Sequence, residues 1–218
     1  RRIMNRKNAQ RRFVFACLAP AVVLVVLFIF VPTVNVFRMS LYRMGGITNK
    51  KEFVGLYNFK TLMGDKNFLQ AMQNSITIIV MVMVCTIVLA ILFAALLSRG
   101  KFKGKNFFRV IFYIPNILSI VVIAGIFGAI YDPSNGLLNT FLEAVHLDFL
   151  KHQWMGDPNI VLYSVIFALV WQAIGYYMVM YMASMAAIPE DLYEAASLDG
   201  ATEIQMFFQV TLPLIWSN

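Results

Sequence analysis

FVFACLAPAVVLVVLFIFVPTVNVF, residues 13–37, runs for 25 residues without a charge. A bilayer core is about 30 Å thick, and a helix needs about 20 apolar residues to cross it. This stretch is long enough, and three more windows resemble it. Asn67 to Ser98 is uncharged, with its apolar part from about Ile76 to Leu97. Val110 to Tyr131 is uncharged for 22 residues, and Pro158 to Pro189 for 32, with the span placed at Ile160 to Ala187. One charge at mid-bilayer costs about 2.5–3.5 kcal/mol on insertion scales, so its exclusion from all four windows is informative. The fold class expected is an all-α membrane protein, a helical transmembrane bundle with four spans in this chain, at 13–37, 76–98, 110–131 and 160–187.

Composition excludes the alternatives. Of 218 residues, 60% are apolar and 13% charged, against about 45–50% and about 25% in a soluble domain. Mean hydropathy is +0.72. Aromatics at 14%, with 19 Phe, exclude a disordered chain. The first window is preceded by the basic RRIMNRKNAQRR, as a signal peptide would be. Its apolar run is longer than the usual about 7–15 residues and no small-x-small cleavage site follows, so it reads as a retained anchor.

The charges orient the spans. Residues 1–12 carry six Lys and Arg and no acid, and SRGKFKGKNFFR (98–109) carries five and no acid. Such loops stay cytoplasmic. The organisation expected is a basic cytoplasmic N-terminus (1–12), an anchor (13–37), an external loop and helix (38–75) and a core from 76 to 218. EFVGLYNFKTLMGDKNFLQAMQNS (52–75) reads as a surface helix leading into the second span. DPSNG (132–136) reads as a turn. Parity places everything after Ala187 in the cytoplasm, yet that stretch is acidic, with Glu190, Asp191, Glu194, Asp199 and Glu203. An acidic cytoplasmic segment calls for a basic partner. The clusters flank long apolar runs, which speaks against nucleic acid.

Little chemistry is present. Cys17 and Cys85 sit in apolar runs and read as small buried hydrophobes. GKFKGKN (100–106) misses the phosphate-loop pattern, because three residues separate Gly100 from Gly104 and Asn106 replaces Ser or Thr. Glu143 and His146 at i, i+3 have no second copy to complete a metal site. His146 and His152 read as solvated external residues. No nucleophile–base grouping points to an enzyme, and no cofactor is implied. No Asp, Glu, Lys, Arg or His falls inside a window, which speaks against a proton-coupled carrier.

The segment PEDLYEAASLDGATEIQMFFQVTLP (189–213) is the informative one. Pro189 suits the start of a helix. Glu190 and Asp191 suit its positive end. Asp199-Gly200 stops it. A second short helix follows from Thr202, with Ile204, Phe207, Phe208 and Thr211 on one face. Pro213 closes the unit. The result is a compact helix–turn–helix whose small Ala195 and Ala196 admit close approach by another surface.

Glu194-Ala195-Ala196, three residues, Gly200, nine residues, then Val210-Thr211-Leu212-Pro213 resembles the EAA loop of ABC importer permeases, with Val210 where Ile is usual. The order of Pro32, VGLYNF (54–59), GKNFFR (104–109), Pro115 and DPSNGLLN (132–139) resembles the carbohydrate branch of that family. The resemblance implies a multi-pass subunit of the bacterial inner membrane. Its partners would be a second permease subunit in a heterodimer, two cytoplasmic ABC ATPase subunits and an extracytoplasmic solute-binding protein. ATP hydrolysis would lie on the ATPases. Glu194, Ala195, Ala196, Asp199, Gly200, Leu212 and Pro213 would form the coupling loop, with Glu194 making a polar contact. Such permeases have six spans, which implies that two C-terminal spans are missing here. For a sugar or related polar solute, Trp171, Gln172, Tyr176 and Tyr177 in the fourth span and Asn116 in the third are candidates for the path, Gln172 and Tyr176 sharing a face at i, i+4. The competing reading is a secondary carrier or channel that needs no ATPase, which would require an intramembrane ion site.

Overall fold

The computed structural model of the chain describes residues 2–45, 51–99 and 104–216. Arg1 of the first basic cluster and Gly100 to Lys103 of the second lie outside the described residues. Two units of chain, 1–72 and 73–218, are each compact.

The first unit opens with one continuous helical run: α1 (Arg2–Val25), a π-helical turn (Val26–Phe30) and α2 (Val31–Ser40). Residues 10–40 are long and apolar enough to cross a membrane, and among the described residues none buries the most apolar stretch of this run. Bare apolar helix of this kind is stable only against lipid or another chain. Cys17 is exposed here, not buried as expected from its surroundings in sequence, because no described residue covers its stretch of the helix.

A short hairpin then forms, which hydropathy did not reveal. Strands β1 (Tyr42–Met44) and β2 (Lys51–Phe53) pair antiparallel, with Tyr42 opposite Phe53. Helix α3 (Tyr57–Met63) follows. Asn58 of the VGLYNF stretch donates through Nδ2 to the carbonyls of Ser40 (2.8 Å) and Tyr42 (3.1 Å), tying α3 to the end of α2. The surface helix expected over 52–75 is broken at Gly64-Asp65. Asp65 Oδ1 accepts from the amide of Asn67 at 2.8 Å, an N-terminal cap that starts α4 (Lys66–Arg99) afresh.

In the second unit α4 continues as a membrane-length helix. It is followed by α5 (Lys105–Ile117), α6 (Ile120–Ile130), α7 (Leu137–Ala144), a 3-10 turn (Asp148–Leu150) and the membrane-length α8 (Val161–Ala186). The chain ends in α9 (Glu190–Leu198), α10 (Glu203–Met206), a π-helical turn (Phe207–Thr211) and α11 (Leu212–Trp216). One buried cluster joins Ala90, Ala94 and Leu97 of α4 to Ile174, Met178 and Met185 of α8 and Ile215 of α11. Small Ala90 and Ala94 let helices close up, as membrane interfaces favour. Gly175 of α8 does the same against α5. A Cβ built there would fall inside the Phe112 carbonyl and 2.9 Å from Tyr113 Cα.

The third window is not one straight span. Helices α5 and α6 meet at a bend of 105°. Leu118 is extended, and Ser119 caps α6 by accepting the Val122 amide at 3.4 Å. Pro115, inside the last turn of α5, has no amide to donate and weakens that turn.

Both π turns share a cause visible in sequence. Each is followed by one residue and then a proline, Val31-Pro32 and Leu212-Pro213. A proline ring clashes with the carbonyl four residues back, and a widened turn gives it room. Pro213 therefore sits inside a continuing helical run and does not close the unit.

The DPSNG segment is a turn, as expected, and its first residue holds it. Asp132 Oδ1 accepts from the amides of Ser134 (2.9 Å) and Asn135 (2.8 Å). Gly136 has a negative φ. It is needed for room, since a Cβ would meet the Asp132 carbonyl and lie 2.7 Å from that of Ile130. The two amide bonds hold the Asp132 carboxyl below its ordinary value. A lowered folded value means that the turn's stabilisation is present above the unfolded pKa and is lost as pH falls through the folded one. Asp132→Ala is expected to speed amide exchange at Ser134 and Asn135 at neutral pH; unchanged exchange would contradict the role given to the carboxylate.

Candidate functional site

Segment 189–213 folds as two short helices around a capped turn. Helix α9 starts after Pro189, which stands at the N-cap, and carries Glu190 and Asp191 in its first turn. It ends in a Schellman motif. The Gly200 amide donates to the Ser197 carbonyl at 3.1 Å and the Ala201 amide to that of Ala196 at 3.0 Å. Gly200 has φ +79. Thr202 and Gln205 form a reciprocal capping box at the start of α10, with the Thr202 amide donating to Gln205 Oε1 at 2.8 Å.

This places the seven residues of the loop. Glu194, Ala195, Asp199 and Gly200 are exposed, Ala196 is half-buried, and Leu212 and Pro213 begin α11. Large apolar side chains are exposed beside them: Leu198 is 90% exposed, and Leu192, Ile204 and Phe208 are also open. The face expected from Ile204, Phe207, Phe208 and Thr211 is split. Ile204 and Phe208 face out while Thr211 is wholly buried, because the π turn inserts an extra residue per turn and breaks the 3.6 spacing. Sequence reading missed the bond this makes possible, Tyr193 Oη to Thr211 Oγ1 at 3.0 Å.

Behind the helix pair lies a cavity of about 890 Å³. Lys105 and Arg109 of the second basic cluster line it together with Glu190 and Glu203. Basic and acidic side chains from distant parts of the sequence thus line one cavity.

The five path candidates do not converge. Gln172 and Tyr177 line a cavity of about 450 Å³ between α4 and α8, together with Thr86, Ile79 and Val82. Tyr176 is exposed, its ring edge-on to Tyr177 at 5.3 Å, and does not share that cavity with Gln172. Trp171 lines a second cavity of about 500 Å³ with Phe127, Tyr131, Trp154 and Phe167. Its ring stands edge-on to Phe127 at 5.4 Å. Asn116, half-buried in the last turn of α5, lines neither. Near the second cavity, Trp154 Nε1 donates to Asn139 Oδ1 at 2.8 Å, and Asn139 Nδ2 to the His152 carbonyl at 3.1 Å. Lys151 bridges Glu143 (2.8 Å) and Asp148 (2.7 Å), and Asp148 and Glu143 raise its pKa above the ordinary lysine value. Glu143 is thereby accounted for as an ion-pair partner.

Comparison with known proteins shows the family and the fold. The family described as binding-protein-dependent transport system inner membrane component matches residues 86–218. The probable ABC transporter permease protein YurN of Bacillus subtilis is 39% identical over 207 residues, 94% of this chain and 70% of that protein. The diacetylchitobiose uptake system permease protein NgcF of Streptomyces coelicolor is 30% identical over 212 residues, 93% of this chain and 60% of that protein. Among solved structures, a bacterial ABC transporter involved in import of the acidic polysaccharide alginate superposes with a TM-score of 0.82 at 26% identity, covering 99% of this chain and 71% of that one.

Proposed function

The chain belongs to the binding-protein-dependent transport system inner membrane components, the permease subunits of ABC importers, and on that premise we propose that residues 189–213 are the surface on which its cytoplasmic ATPase subunits dock. The observation that carries this is the exposed face of α9 and α10. Glu194, Ala195 and Asp199 stand open beside Leu192, Leu198, Ile204 and Phe208. Exposed large apolar groups grouped with polar ones mark a surface that another protein covers. The small Ala195 and Ala196 let a groove wall come close. Two rigid caps, the Schellman turn and the Thr202 box, keep the two helices from fraying when they are pushed.

The N-terminus lies in the cytoplasm on this reading, because both basic clusters flank the same side of the membrane. A second permease subunit in a heterodimer completes the path, and a solute-binding protein delivers from outside, as in the solved alginate importer complexed with its periplasmic protein. The solute is a sugar or related polar molecule. NgcF is named for diacetylchitobiose and the solved neighbour for alginate. The cavity holding Gln172 and Tyr177 supplies an amide and a phenol in apolar walls, the mixture that orients a polyhydroxyl ligand.

The docking surface is tested by purification in detergent with the ATPase subunits, comparing the intact chain with one lacking residues 190–213. Retention of the ATPase by the intact chain alone is expected. Equal retention by both would overturn the assignment. For the solute cavity, Gln172→Ala is expected to raise the half-saturating solute concentration in transport by roughly fivefold, the worth of one net hydrogen bond. An unchanged value would remove Gln172 from the path.

A further inference from the structure

We propose that Tyr193 and Thr211 form a strut that sets the angle of the docking helix, which makes Tyr193 a positioning residue for coupling. The inference rests on the docking assignment above and goes beyond it, since neither residue carries the exposed surface.

Helix α9 is held to α8 through Ile188 and the extended Pro189, whose ψ of 136° breaks helical continuity. A joint of that kind lets a helix swing when pushed at its far end. Tyr193 gives α9 a second point of attachment. Its phenol lies 3.0 Å from Thr211 Oγ1, across 18 residues of chain. Thr211 is 0% exposed, and its hydroxyl lies 3.4 Å from the Met206 carbonyl. Either hydroxyl of the pair can donate to the other. The Met206 carbonyl is a second acceptor within reach of the Thr211 hydroxyl, so Thr211 links α9 to the backbone of α10.

The π turn is what makes the strut. With α-helical spacing Thr211 would share a face with Ile204 and Phe208, which are exposed. The extra residue in the turn, which the proline at 213 favours, swings Thr211 inward beneath Tyr193. Thr211 leads directly into α11, whose Ile215 is buried against Ala94 and Met185. A push on α9 therefore reaches the packed core of the spans by two routes: through Pro189 into α8, and through Tyr193 and Thr211 into α11. Holding both fixes the direction in which the docking helix can move.

The test uses the assembled importer in liposomes, with its ATPase subunits and solute-loaded binding protein, and reads solute imported per ATP hydrolysed. Tyr193→Phe and Thr211→Val are each expected to lower that ratio about fivefold, the population ratio of one net hydrogen bond. ATPase co-purification should stay at the unaltered level. The double variant should be no worse than either single one, because one bond cannot be lost twice, and Thr211→Ser should restore the ratio. An unchanged ratio in Tyr193→Phe, or losses that multiply in the double variant, would overturn the strut; if Thr211→Val fails to assemble, Tyr193→Phe decides. Gly200→Val separates the two levels. If it transports normally, the Schellman turn does not set the docking angle, and ATPase retention by the chain lacking residues 190–213 decides the docking assignment. If it uncouples while Tyr193→Phe does not, the strut alone is wrong.

Discussion

Gly175→Val is expected to lower the melting temperature of the purified chain more than any other single glycine change in the second unit outside the 132–136 turn. The reason is where the new atoms would go. The first carbon of the side chain already meets the Phe112 carbonyl and Tyr113 Cα, both backbone. A flexible side chain would yield; a helix backbone carries its neighbours with it. Overpacking costs about 1–3 kcal/mol and occasionally more, and here the contact joins α5 to α8 beside the buried Ile174 and Met178. Gly125 and Gly128 of α6 provide the contrast, since a Cβ at either meets nothing within 4 Å. Gly125→Ala is expected to be neutral or slightly stabilising, by about 0.4–1 kcal/mol through the unfolded chain. Thermal unfolding in detergent checks both. A Gly175→Val chain that melts with the unaltered one would mean that the α5–α8 approach is looser than described.

Substitution of Gly200 should act on transport without disturbing packing. No atom lies within 4 Å of a Cβ placed there, so sterics from neighbours drop out. What remains is the backbone at φ +79. Asn visits that region readily, Ala less so, and a β-branched residue at a cost of about 1–3 kcal/mol. The expected order of transport is Gly and Asn together, then Ala, then Val, with Val down about tenfold or more at about 1.4 kcal/mol per factor of ten. Equal transport by the Asn and Val variants would show that the Schellman turn does not set the docking geometry.

The two longest helices in the core and the anchor were legible because hydropathy reports length and charge exclusion, and α4, α8 and the 10–40 run satisfy both. The helix–turn–helix of residues 189–213 was legible because its signals are local: a proline at one end and Asp-Gly at the turn. The rest depended on contacts across the chain. Gln172 was paired with Tyr176 by helical spacing, whereas it is Tyr177 that shares its cavity. Trp171 stands edge-on to Phe127 and lines a different cavity, a grouping that spacing along one helix does not show. Lys105 and Arg109 meet Glu190 and Glu203 around one cavity over a separation of more than 80 residues, which no window along the sequence can see. The face through Thr211 failed for a different reason: the period itself changes in the π turn ahead of Pro213.

The bend between α5 and α6 has a consequence for the membrane. Thirteen residues of α5 rise about 20 Å, well short of a core about 30 Å thick. Helix α6 turns away by 105°, so the two helices do not add up to one straight span. The end of a helix leaves carbonyls without partners inside it, and lipid tails offer none. Such a break survives at depth only beside protein or water. The chain thus carries main-chain polarity inside a stretch whose side chains are all uncharged, a hydrophilic spot that no hydropathy profile registers. The break at Leu118 and Ser119 is a polar spot made by peptide groups, within a stretch that side-chain hydropathy reads as wholly apolar.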